Sequence, residues 1–174
     1  MTFEMSFELN VGKGKVRTEA MEVVKTALKE KGFEAFADDL RMEKKSDSPI
    51  TNWLDITLKE EEFEEAVAVV YTALINELPE INFNGYIGYM CGAYDFGYCF
   101  EKKDNELYTS ISAGDGNGCC PECGEVIAHL DEFDPNKTYI CPDCGEEIPN
   151  YYLFDEYRNE EHTYEIINGE LVEK

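Results

Sequence analysis

The sequence predicts an α+β fold: a sheet-and-helix domain over residues 1–113, then a small β module clasped by cysteines. Three observations carry this prediction. Phe3, Met5, Phe7 and Leu9 alternate with polar residues, the period of a half-buried strand. Phe63, Ala66, Val67, Val70, Tyr71, Leu74 and Leu78 fall on one helical face. Two short cysteine pairs, Cys120-Pro-Glu-Cys123 and Cys141-Pro-Asp-Cys144, sit in the last third.

The remaining elements follow in order. Gly12-Lys13-Gly14 breaks the chain after the first strand. Thr18 is placed to cap a helix running to Lys31, with Met21, Val24, Ala27 and Leu28 on one stripe and Gly32 as its stop signal. A strand is expected over Phe33–Lys44, a loop at Ser46–Pro49 and a strand at Trp53–Leu58. Thr57 and Glu60 match a capping box, in which each side chain satisfies a free backbone N–H of the first turn. Glu60, Glu61, Glu62, Glu64 and Glu65 crowd the start of that helix, where carboxylates suit the positive end of its dipole. Pro79 marks its end. Phe83–Phe100 reads as two strands turning near Gly92 or Asp95, and Glu106–Ser112 as another. The order β-α-β-β-α-β-β resembles a ferredoxin-like, split βαβ sheet with helices on one face. That resemblance rests on element order alone and implies no activity.

Composition bounds the function. The chain has 174 residues, 15 Lys+Arg against 38 Asp+Glu, and a formal net charge of -23. Hydrophobic residues at 43% suffice for a packed core, which excludes a wholly disordered acidic tail. The charge argues against coating DNA or RNA, whose phosphates would be repelled. No apolar run approaches the roughly 18 residues of a membrane span. The N-terminus carries acids where a signal peptide needs a basic start. A soluble, cytoplasmic protein with no membrane partner is expected.

Ala113 to Gly118 is Gly-rich, so residues 114–118 are read as a linker and 119–174 as the second module. Residues 1–118 hold 12 basic and 23 acidic residues; residues 119–174 hold 3 and 15. The second part is therefore about twice as dense in negative charge.

Seven cysteines leave one over in any disulfide scheme, and in a reducing compartment two CxxC pairs point to metal. Seventeen residues separate Cys123 from Cys141. Two residues between thiols let both sulfurs face one point. Pro after the first Cys stiffens each turn. Gly124 and Gly145 permit positive φ, so backbone N–H groups can point at the sulfurs. Cys120, Cys123, Cys141 and Cys144 are the candidate metal ligands, and Zn²⁺ suits a closed tetrahedral four-thiolate site. Both CPxCG knuckles resemble those of the zinc ribbon, with its rubredoxin-type turns, over about 30 residues of the chain. The resemblance implies a structural zinc and a small hairpin sheet. Val126–Leu130 and Thr138–Ile140 would then be its strands and Asp134–Lys137 its turn. Iron, as in rubredoxin, is the other metal this ligand set accepts. Four thiolates and one Zn²⁺ take the charge from -23 to about -25.

Zinc ribbons often touch nucleic acid. Here the neighbours are Glu122, Glu125, Asp131, Glu132, Asp134, Asp143, Glu146 and Glu147, with Lys137 the only base between the knuckles. Direct nucleic-acid binding is not expected; a protein partner with a basic surface fits better.

Other residues have a functional and a plainer reading. Cys119 is a spare ligand or redox thiol, or a free cysteine beside the site. Cys91 and Cys99 pair or bind a second metal, or are small buried residues of the sheet. Tyr86, Tyr89, Tyr94, Phe96, Tyr98 and Phe100 form a stacking platform or a core face; the period-two alignment of the last four favours core. His129 and His162 suggest no triad, and each reads as a surface or hairpin residue. Thr163–Ile167, Asn168-Gly169 and Glu170–Val172 read as a hairpin with a type I′ turn. It can complete the ribbon, dock on the first domain or meet a partner. No phosphate loop, nucleophile elbow or HExxH motif is present. The expected function is that of a non-enzymatic interaction or accessory protein for a basic or nucleic-acid-handling partner. The alternatives are an enzyme with a pocket between sheet and ribbon, and a rubredoxin-like electron carrier.

Overall fold

The computed structural model describes residues 3–42, 49–56, 60–91, 94–115, 117–149 and 158–174. The first strand, β1 (Phe3–Asn10), places Phe7 and Leu9 fully inside. Helix α1 (Lys15–Glu30) begins three residues before Thr18, directly after Gly14. It ends in a Schellman turn. The Gly32 N–H reaches the Lys29 carbonyl at 3.1 Å and the Phe33 N–H the Leu28 carbonyl at 2.9 Å.

The strand expected over Phe33–Lys44 is not there. Its described part is a short helix, α2 (Glu34–Asp39), and a two-residue strand, β2 (Arg41–Met42). The spacing explains this: Phe33, Phe36, Ala37 and Leu40 stand at i, i+3, i+4 and i+7, a helical pattern. Phe36 and Ala37 are buried, and the Phe36 ring meets Phe7 edge-on at 5.2 Å.

Strand β3 (Ile50–Ile56) leads to helix α3 (Glu60–Glu77). The capping-box position Thr57 lies outside the described residues. The predicted apolar stripe of α3 is buried, with Leu78 packed at its end. Strands β4 (Phe83–Cys91), β5 (Tyr94–Lys103) and β6 (Glu106–Asp115) form a meander. The last strands are β11 (Arg158–Ile167) and β12 (Glu170–Glu173). Between them, Asn168 at φ 53° and Gly169 at φ 83° both take positive φ, as a type I′ turn requires.

These strands make one eight-stranded sheet, ordered β12-β11-β6-β5-β4-β1-β3-β2, antiparallel at every pairing. The terminal hairpin, grouped with the ribbon on sequence, instead extends this large sheet. Tyr164 stands opposite Leu107, and Tyr164, Ile166 and Leu171 pack against the main core. The ribbon's own core is too small to bury them.

Helices α1 and α3 close one face of the sheet. Phe96 meets Phe63 at 5.9 Å, and Phe100 meets Tyr71 at 6.0 Å and Phe83 at 6.1 Å. The aromatic run therefore divides. Phe96 and Phe100 are core, whereas Tyr86 is exposed on the opposite face, lying across Gly88 and Gly97. Those two glycines are register partners and leave the room its ring fills.

Lys102 shares the inward parity of Phe96 and Phe100 and is 3% exposed. Its ammonium donates to the carbonyls of Pro79 and Ile81, both at 2.9 Å, just past the end of α3. That helix has no base in its last turn, so Lys102 supplies one from the sheet.

Candidate metal centre

The segment between β6 and β11 holds both knuckles. The linker expected at 114–118 is largely strand: β6 runs to Asp115, and β7 spans Asn117–Cys119. Further on come β8 (Val126–His129), β9 (Tyr139–Ile140) and β10 (Glu147–Ile148). The ribbon strands do not pair as first expected. β8 pairs with β7, and β9 with β10. Each knuckle is thus the turn of its own small hairpin. The reason is local: a CPxCG turn reverses the chain, so the segments on either side of it meet before any more distant pair can.

The two knuckles repeat the same bonds. The Cys120 N–H reaches the Glu125 carbonyl and the Gly124 N–H the Cys120 carbonyl, both at 2.8 Å. The Cys141 N–H reaches the Glu146 carbonyl at 2.8 Å and the Gly145 N–H the Cys141 carbonyl at 3.0 Å. Gly124 at φ 79° and Gly145 at φ 77° take the left-handed conformation, and nothing lies within 4 Å of where a Cβ would stand. Backbone geometry, and not lack of space, favours glycine at both.

All four Sγ atoms lie within 4.8 Å of one another. Cys120 and Cys144 are 3.6 Å apart, Cys123 and Cys141 3.5 Å. A tetrahedron with metal–sulfur bonds of ~2.3 Å has edges of about 3.8 Å. The four cysteines can hold a metal ion. Cys120 and Cys141, the first of each pair, are buried; Cys123 and Cys144 face outward.

The electrostatics of the cluster follow from crowding. Backbone N–H groups of Cys144 and Asp143 favour the Cys141 thiolate and lower it to about 7. The Glu125 N–H pulls Cys123 the same way, but the hydrogen bond to Cys141, partial loss of water and the other two thiols outweigh it and push Cys123 up to about 12. Cys144 is also raised: the Glu146 N–H favours its thiolate, but hydrogen bonds to Cys141 and Cys120 and partial loss of water outweigh that help. Four thiolates at this spacing need a cation among them.

Around the site, Ala128, Tyr139 and Ile148 are the buried apolar side chains, flanked by Ile127 and Phe133. Phe133 stacks on Tyr139 at 5.7 Å, and the Tyr139 hydroxyl accepts the Asp134 N–H at 2.8 Å. The predicted turn at Asp134–Lys137 is present, closed by the Lys137 N–H on the Asp134 carbonyl at 3.1 Å. Lys137, the base between the knuckles, sits over the Tyr139 ring at 5.1 Å.

The other singled-out residues lie apart. Cys119 is half-buried at a β-bulge, its sulfur 3.7 Å from the Asn117 carbonyl, outside the four-sulfur cluster. Cys99 is exposed, not a buried filler of the sheet, because its parity faces it away from the helices. The side chain of Cys91 lies outside those described. His129 meets Asn117 at 2.5 Å.

His162 contacts Glu173 at 2.6 Å and lies 3.8 Å from Glu160. Hydrogen bonding to Glu173 raises its pKa. Sequence reasoning missed the fork of Arg158 on Glu64, at 2.8 and 3.1 Å, which ties β11 to α3. No local signal marks a pair 94 residues apart. It also missed Lys102, although strand parity placed a base on the core face.

No family model matches the chain, and no curated protein or solved structure is significantly similar to it. Among the described residues, no helix is long and apolar enough to cross a membrane.

Proposed function

We propose that this chain is a non-enzymatic interaction protein. Its acidic surface engages a basic or nucleic-acid-handling protein partner, and its four clustered cysteines hold a structural Zn²⁺. The convergence of Cys120, Cys123, Cys141 and Cys144 carries the reading. Four protein thiolates complete a tetrahedral set and leave no position for a reactant. The metal supplies the cross-link that three buried apolar side chains cannot. Glu122, Glu125, Asp143 and Glu146 stand exposed on the knuckles, so the module presents negative charge outward.

The ribbon reading draws support from the two matching knuckles. The ferredoxin-like reading draws support from the partial order β4-β1-β3-β2, with α1 and α3 crossing between its strands. The cavity of about 160 Å³ beside Arg158, Glu160 and His162 has no ribbon residue in its lining, so it lends no support to an enzyme pocket between sheet and ribbon. Ligand sites commonly exceed ~300 Å³, and these charges already pair with one another.

Metal analysis of the purified protein tests the site. One zinc per chain and no colour support it; a red protein replaces zinc with iron. Capture on immobilised protein at low and high salt tests the partner. If no basic protein is retained at low salt, the interaction reading fails.

A further inference from the structure

The outer faces of α1 and α3 enclose a groove of about 740 Å³, on the side of the helices away from the sheet. Its floor is small and apolar: Val23 and Ala27 from α1, Ala68, Val69 and Ala73 from α3, all half-buried. Exposed Thr26 and Thr72 stand midway along it. The charged rim has a pattern. Glu22 and Glu30 bound the lining of α1, and Glu65 and Glu77 bound that of α3, with Lys31 the one base in the lining. Acids therefore mark both ends, with Lys31 beside Glu30 at one of them, and a mostly apolar floor flanked by Thr26 and Thr72 lies between.

Glu65 to Glu77 spans about 18 Å of helix at ~1.5 Å per residue. That length seats three turns of another helix. Small floor residues let its backbone approach closely.

We propose that this groove docks a basic amphipathic helix of a partner protein, its apolar stripe on Ala27, Ala68 and Ala73 and its Lys or Arg residues at the glutamate-marked ends. The proposal rests on the reading of the chain as an acidic interaction protein and names the surface that does the binding. Charge complementarity selects this occupant. A second copy of the chain would bring four more glutamates, and a single lysine, against these four glutamates and Lys31. The hydrophobic floor supplies affinity that a purely electrostatic contact lacks, and the carboxylates steer approach and set orientation.

The test uses the full zinc-loaded chain and a fluorescein-labelled Lys/Leu/Ala peptide of about 14 residues, enough for the ~18 Å helix, with leucines at helical spacing and lysines at both ends. Anisotropy is read at about 0.15 M salt, where exposed charge is screened beyond ~8 Å. A scrambled peptide of the same composition and charge has no apolar stripe and should bind at least about tenfold more weakly. The double variant Thr26→Arg/Thr72→Arg alters two exposed positions, so circular dichroism should be unchanged. It should weaken the amphipathic peptide at least about tenfold by like-charge contact. Equal binding of the two peptides overturns the proposal, as does unchanged affinity in the variant. Concentration-dependent dimers that the double substitution abolishes would also overturn it, by making a second copy the occupant. If the variant still captures a basic partner at low salt as well as the unaltered chain does, the groove is wrong and the acidic-interaction reading survives.

Discussion

Replacing Gly124 by alanine isolates the backbone's share in holding the metal. At φ 79° the residue is left-handed, and a Cβ built there meets no heavy atom within 4 Å. The substitution therefore adds no clash. What remains is the torsional cost of an L side chain in that conformation, about 1–2 kcal/mol. The metal-bound knuckle holds this turn, and the metal-free chain is free to relax it. The cost should then fall on binding, lowering metal affinity about 5- to 30-fold. Asparagine tolerates the same conformation better, so Gly124→Asn should lose less than Gly124→Ala.

Co²⁺ absorbance in competition with a chromophoric chelator measures the affinities. Gly145, at φ 77° and equally unobstructed, should give the same series. The combined variant need not be additive, because both knuckles share one ion. Unchanged affinity in Gly124→Ala would refute the reasoning, as would an asparagine variant as impaired as the alanine one.

Further outcomes follow from other parts of the fold. Cys141→Ser should abolish metal binding yet leave the methyl resonances of Ile87 and Leu107 in place, because the large core and the ribbon core are separate clusters; simultaneous loss of both would contradict this. Lys102→Met strips the donor from the Pro79 and Ile81 carbonyls and should cost about 2 kcal/mol in urea unfolding. Gly85→Ala drives a Cβ into the Phe100 ring and to 2.8 Å from the Glu8 carbonyl, and should destabilise by about 2 kcal/mol in the same assay. His162 should titrate by NMR above its ordinary value of 6.5, and Glu173→Gln should bring it back down. Since the folded-state value is raised, the contribution of this contact is complete below 6.5 and fades as pH rises through the raised value.

What could be read from the chain alone was local. The strand at Phe3–Asn10, the stripe of α3, the Asn168-Gly169 turn and each of the two cysteine knuckles depend on contacts or backbone angles set within a few residues. A CPxCG turn dictates its own geometry, and two of them supply two halves of a tetrahedron. The helix at Glu34–Asp39 was also legible, through Phe33, Phe36, Ala37 and Leu40, but its period is easily mistaken in so short a segment.

Tertiary structure decided the remainder, because strand partners, buried faces and grooves arise between segments far apart in sequence. An alternating strand announces one apolar face without naming its neighbour, so β11 could be assigned to β6 only once the large core was seen to bury Tyr164 and Ile166. That pairing brings the chain back to the sheet after the knuckles and makes the metal module an excursion between β6 and β11. The outward exposure of Cys99, the fork of Arg158 on Glu64 and the glutamate-framed groove have the same origin. Each is fixed by which elements the folded core sets side by side.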